Sequence, residues 1–320
     1  IRLLVYLQES TITERYLTYL KSDASDVDKL HVALHLRFLE KGWTSSERME
    51  LLKFYEEAQK RKGGGSYARY LINATRDFTK QLNQEEVAMV LEKGSLWPNA
   101  ALGALYLIPE KPDEKTLTQL KELDQKLNEL EGDSVQRLQV GITAVLTRSG
   151  DEESFQYLRK VWDENPERRA AVSVGLAQSP AGENWAYVVR SLPYLEPAAA
   201  REVCQKLMAV EQAPEESDPY RTVILLGLRA LEKDKPADAP IALLQFWTSE
   251  EPAKDESEKK QLEAWQEWFA KTYPNAPSAT LPTAAENAKY SYDELLTYVS
   301  GEEMAKASAQ RGQAIFTKVQ

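Results

Sequence analysis

Apolar residues recur every three or four positions along almost the whole chain, the spacing that puts them on one side of an α-helix. This periodicity limits the fold more than any single motif does. In "TITERYLTYLKSD", Ile12, Tyr16 and Leu20 follow one another at fours, with Thr11 as the expected cap and Glu14 three residues on. "SDVDKLHVALHLRFLEKG" places Leu30, Ala33, Leu34 and Phe38 on one predicted face, with Gly42 as its C-terminal stop. Thr44 and Glu47 form an expected capping box ahead of a helix that ends at Gly63, Gly64 and Gly65, and Asn83 to Gly94 repeats the same grammar. The opening "IRLLVYLQES" reads as the middle of a helix. No stretch alternates with a period of two and closes in hairpin residues, so the expectation is an all-α fold.

The centre carries a repeat. Arg137, Arg169 and Arg201 open similar segments at equal spacing. In the first two units a helix rich in small residues leads through a polar turn (Ser149 to Asp151, then Ser179 to Gly182) into a second helix with an early aromatic, Phe155 or Trp185. "PYRTVILLGLRALEK" resembles the first-helix pattern again at broken spacing. Helix pairs of this period cannot bury both faces alone and must stack on neighbours. HEAT-like units fit better than tetratricopeptide repeats, whose Trp and Tyr positions are missing.

After Glu250 a solvated charge run leads to a helix with Leu262, Trp265 and Phe269 on one side, ending at Pro274. "NAPSATLPTAAEN" reads as an extended linker, and "SYDELLTYVSG" as a short helix capped by Ser291.

Chemistry is sparse. With 40 basic against 50 acidic residues the net charge is −10, which argues against a nucleic-acid ligand, because a phosphate backbone needs a basic stripe. No run of about 18 apolar residues is present, so no membrane span is expected. Cys204, the single cysteine, reads as a small buried hydrophobe. His31 and His35 stand four apart on a predicted helix, a spacing that can share a metal, but a site needs a third ligand and no Glu follows His31 as in an H-E-x-x-H motif, so buried or edge histidines bonded to backbone are the expectation. "KGGGSY" lacks the Gly-Lys-Ser/Thr of a phosphate loop. Glu56-Glu57 and Glu85-Glu86 read as polar helix faces with nothing to raise a pKa. Trp247, Trp265 and Trp268 are read as core, with a ligand groove as the alternative. No catalytic residue is predicted in this segment.

Two stretches carry a family resemblance. In Lys29 to Phe78 the matching residues include His31, Ala33, Leu34, Gly42, Trp43, Thr44, Arg48, Gly64, Gly65, Ser66, Tyr67, Arg76 and Asp77. Near the end, "LEAWQEWFAKTYPNAP", "ELLTYVSG" and "RGQAIFTKVQ" bring Gly312, Ile315 and Phe316 into a Gly-x-x-[IVL]-Phe pattern. Together they resemble large planctomycete-type c-type cytochromes that join a dehydrogenase-like β-propeller, HEAT-like repeats and a C-terminal haem domain. The resemblance implies a HEAT-like solenoid followed by a linker and the start of a cytochrome c-like domain. Its parts would be an N-terminal helical array (1–133), HEAT-like repeats (134–250), a Trp-rich closing helix (251–280), and the linker with the first cytochrome helix (281–320).

The resemblance also implies haem c in the parent protein, with the Cys-x-x-Cys-His motif expected after Gln320 and Phe316 near the haem edge. A dehydrogenase-like domain or protein would be the electron-donating partner, in a periplasmic or otherwise extracytoplasmic setting. No haem ligand is expected within the chain itself. The alternative is a free-standing helical-repeat scaffold that binds a protein without a redox role.

Overall fold

The computed structural model describes residues 1–61 and 64–281, and every regular element among them is helical. The described residues fall into two compact units that divide between Tyr157 and Leu158. The first holds α1 (Arg2–Tyr6), α2 (Thr13–Lys21), α3 (Asp26–Leu36), α4 (Ser45–Gln59), α5 (Tyr67–Thr79), α6 (Gln84–Glu92), α7 (Pro98–Leu105), α8 (Glu114–Leu127) and α9 (Asp133–Ser149). The division falls inside α10 (Glu152–Glu164). The second unit continues with α11 (Arg169–Leu176), α12 (Glu183–Ser191), α13 (Pro197–Leu207), α14 (Ser217–Glu232), α15 (Asp238–Thr248) and α16 (Glu258–Thr272). The predicted helix capped by Ser291 lies outside the described residues.

Helix starts follow the sequence chemistry closely at two places. The Thr44 hydroxyl accepts from the Glu47 N–H at 3.3 Å while the Glu47 carboxylate accepts from the Thr44 N–H at 2.7 Å. Asn83 and Glu86 repeat this reciprocal box at the start of α6. Each box satisfies donors that the helix itself leaves open.

The N-terminal expectations need correction. Thr11 is not a cap: a 3₁₀ turn (Ser10–Ile12) intervenes, and Glu9 accepts from the Thr11 N–H instead. α1 is a short helix that ends before Gln8, whose φ is +54°. On α3 the buried face is Val32, Ala33 and Leu36, continued by Leu39, whereas Phe38 is exposed. Gly42 does not stop that helix, which ends at Leu36. It sits beyond it at φ +84°, and a Cβ there would run into the Ser10 backbone carbonyl. The Thr13 hydroxyl donates to the Gly42 carbonyl at 3.1 Å, fixing this close approach.

Within each unit many helices pack on a neighbour in sequence or on the next helix but one. In the first, α4 packs on α5, α6 on α7 and α8 on α9, while α5, α7 and α9 lie against one another in sequence and α6 meets α8. In the second, α11, α13 and α15 form one such series, with α12 on α11, and α16 on α14 and α15. α14, which resembles a first helix in sequence, packs on α13, α15 and α16. The cores are aliphatic, with Leu36, Leu51, Leu52, Leu71, Leu91, Leu120 and Leu127 essentially inaccessible to solvent. Each such side chain contributes about 1.5–3 kcal/mol relative to an exposed one. Small residues set the spacing: a Cβ at Gly227 would come within 2.7 Å of Leu262 on α16.

Phe155 and Trp185, the early aromatics of the sequence repeat, are both buried. The polar turns before them use Gly150 at φ +68° and Gly182 at φ +62°, conformations that glycine adopts without a Cβ penalty. Leu262, Trp265 and Phe269 share the buried side of α16 as their spacing predicts.

The described part of the Pro/Ala/Ser segment is no free linker. Arg221 Nε donates to the Ser278 carbonyl at 2.8 Å, Gln266 Nε2 donates to the Ala279 carbonyl at 2.6 Å, and Ala279 is buried. Extended backbone offers its carbonyls outward, and side chains from α14 and α16 take them up.

Candidate functional site

α3 brings His31 and His35 edge to face, their ring centroids 4.6 Å apart. Arg2 Nε donates to His35 Nε2 at 3.2 Å. Partial burial holds the His35 pKa below its usual value, aided by the charges of His31 and Arg2. Among the described residues no group of three or more His, Cys, Asp or Glu side chains is placed to hold a metal.

The three tryptophans of the sequence groove are packed together. Tyr220 touches Trp247 and Trp268 at centroid distances of 5.6 and 5.7 Å, and Trp265 meets Trp268 at 5.2 Å. Trp265 is fully buried and Trp247 nearly so, leaving only Trp268 half-exposed. Rings in mutual contact fill their own space, so this cluster is core. Cys204 is likewise buried, and its thiol is pushed up to about 12 by burial. Gly312, Ile315 and Phe316 lie outside the described residues.

The acidic pairs differ from their sequence reading. Glu56 is not on a polar face: it is 4% exposed. Its carboxylate accepts from the Ala100 N–H at 2.7 Å and from Asn99 Nδ2 at 3.1 Å. Trp97, which precedes α7, supplies no side-chain cap, so Glu56 caps that helix from α4. Burial raises the Glu56 pKa in spite of these hydrogen bonds. Glu86 is also buried. It accepts from Ser45 Oγ at 2.8 Å and from Arg48 Nη1 at 3.0 Å, besides closing its capping box. Burial pushes its pKa up, but the Asn83 N–H, Ser45 and Arg48 together bring it below the usual value. Both carboxylates are committed to joining helices.

A cleft in the second unit is the feature with the most chemistry left over. It has a volume of about 320 Å³ and lies between residues at the end of α10, the start of α11, the end of α12 with the turn after it, and the start of α14. Its floor is Trp162, whose indole N–H donates to Ser191 Oγ at 2.6 Å. Two guanidinium groups, of Arg169 and Arg190, each lie 4.5 Å from the Trp162 ring centroid. Arg169 is buried and tied down, donating from Nε to the Trp162 carbonyl and from Nη1 to the Tyr194 hydroxyl. Arg190 is more open, its side chain 55% exposed and 4.0 Å from Asp163. The Tyr187 hydroxyl donates to Asp163 at 2.9 Å. Glu216 and Asp218 complete the lining.

Sequence reasoning marked Arg169 only as a repeat position and passed over Trp162, Arg190, Glu216 and Asp218. The seven-residue step from Trp162 to Arg169 was visible, but nothing in it says that the two side chains stack.

Compared with family models, curated proteins and solved structures, the chain matches none. Among the described residues the fold is all-helical. No helix among the described residues is long and apolar enough to cross a membrane.

Proposed function

We propose that this chain is a non-catalytic helical-repeat scaffold of the HEAT-like kind. In this reading it belongs to an extracytoplasmic c-type cytochrome system and positions a haem domain for electron transfer from a dehydrogenase-like domain or partner. The observation that carries the scaffold reading is the pairing of α4 with α5, α6 with α7, α8 with α9 and α11 with α12, together with the next-but-one series α5, α7, α9 and α11, α13, α15. That grammar is what a stack of helix pairs requires, since each pair hides one face and leaves the other for its neighbour. The buried carboxylates support it as well, because Glu56 and Glu86 bond helix to helix instead of opening onto a cleft.

The redox setting rests on the Gly42-Trp43-Thr44 and Gly312 to Phe316 stretches and their likeness to the cytochrome family. An electron-transfer chain needs fixed, short distances between its centres, and a stack of helices supplies a stiff spacer with a large docking surface. Lysine cross-linking in extracts of the source cells tests the reading. Links from lysines of this chain to a haem-bearing peptide are the expected result. Links confined to proteins without haem would overturn the redox role and leave a protein-binding scaffold.

A further inference from the structure

We propose that the outer side of α5, α7 and α9 docks an acidic segment of a partner protein, one that carries an apolar side chain between its carboxylates. The three helices lie side by side in the first unit. A Cβ at Gly103 of α7 would meet the Thr79 side chain of α5, and one at Gly141 of α9 would come within 2.9 Å of Leu102 and Leu105. The ends of α7 and α9 are joined as well, since Arg148 Nη2 donates to the Ile108 carbonyl at 3.1 Å. Along α7 only Pro98 and Leu102 reach solvent, and Tyr106 continues their line at 74% exposure. Positions four apart share one helix face, so these residues form an apolar ridge between α5 and α9.

Cations flank the ridge on both sides. Arg76 stands one turn before Thr79 on α5, and Arg137 one turn before Gly141 on α9, with Arg148 further along the same α9 stripe. Arg76 and Arg137 are exposed, and among the described residues neither guanidinium has a hydrogen-bond or ion-pair partner. The sequence repeat supplies a contrast. Arg169 donates to the Trp162 carbonyl and Arg201 pairs with Asp238 at 2.8 Å, whereas Arg137 in the corresponding position is left open. Of the nearby carboxylates, Asp77 is held by Lys80 at 3.1 Å, and Asp133 lies one turn before Arg137. With Lys80 and Asp77 cancelling, Arg76, Arg137 and Arg148 outnumber Asp133, in a chain whose net charge is −10. A second copy docked on the same surface would bring like charges together, and a nucleic acid would meet an otherwise acidic chain. An acidic segment pairs with the arginines while its apolar side chain covers Leu102 and Tyr106. Arginine and tyrosine are the residue types that most often anchor such contacts. This docking role rests on the scaffold reading and is independent of its haem setting.

The test is selection of a random displayed-peptide library on the folded chain, followed by titration of the enriched peptides as synthetic probes. The enriched peptides are expected to be acidic, with an aromatic or aliphatic residue between the acids. Arg76→Glu and Arg137→Glu should each weaken their binding about tenfold or more, and Tyr106→Ala should weaken it too. All three side chains are exposed, circular dichroism checks folding, and Arg76→Gln and Arg137→Gln serve where a charge reversal unfolds the chain. The proposal is overturned if no peptide is enriched, if the enriched peptides carry no acidic bias, or if they bind the arginine variants as well as the parent. It is also overturned if a single-stranded DNA oligonucleotide displaces them, since the surface would then take any polyanion. Such a failure alongside intact lysine cross-links to a haem-bearing peptide would remove this surface and keep the scaffold reading.

Discussion

Glu56 and Glu86 both come from paired acids that read as solvated helix faces, yet each ends up inside a helix junction with its own electrostatic sign. Glu56 has a pKa raised by burial, so the stability it confers is fully present below the unfolded carboxylate value, about 4.3. That part is lost as pH rises through its folded pKa. Glu86 is the reverse: its lowered folded pKa gives a contribution present above the unfolded value and lost as pH falls through the folded one.

Denaturant unfolding between pH 3 and pH 7 checks both signs. Glu56→Gln should remove a stability decrease seen on raising the pH. Glu86→Gln should remove part of the acid sensitivity. Glu56→Ala leaves the Ala100 N–H and the Asn99 amide without their acceptor and should cost about 1–3 kcal/mol at neutral pH. None of this was legible in the sequence. Burial of a glutamate depends on which helix start lies opposite, and for Glu56 that start is more than forty residues away.

At the scale of elements, helix starts were the most readable feature, because a capping box is local: Thr44 with Glu47, and Asn83 with Glu86, close within three residues. Thr44→Ala should cost about 1 kcal/mol in thermal or chemical unfolding. The buried face of α3 was less readable. Apolar residues occur on both sides of that helix, and packing against α1, α2 and α4 selects Val32, Ala33 and Leu36. Gly42 shows the same lesson: its place after an apolar run suggested a helix stop, but what requires glycine is the Ser10 backbone beside it. Gly42→Ala combines a left-handed φ with a backbone clash and should cost about 1–3 kcal/mol. Gly227→Val would press on Leu262 and should cost about 1–3 kcal/mol through overpacking between α14 and α16, with altered Trp265 fluorescence as the local readout.

For the whole molecule, helical class and the habit of packing in pairs follow from periodicity and the central repeat, since a stripe of apolar residues on every helix must find a neighbour. The Trp162 cleft does not follow from them. Its floor, its cations and its carboxylates come from four separate helices, α10, α11, α12 and α14, and only the fold brings them to one place. The docked segment up to Leu281 was hidden for a similar reason, as its hold depends on Arg221 and Gln266 from two helices.

The central claim is that these helices serve a c-type cytochrome. It is tested most directly on the protein isolated from its source, by intact mass together with a reduced-minus-oxidised visible spectrum. The account predicts a mass well above the 36.3 kDa of this chain and sharp c-type haem bands. A mass equal to that of the chain, with no visible absorbance, would contradict it.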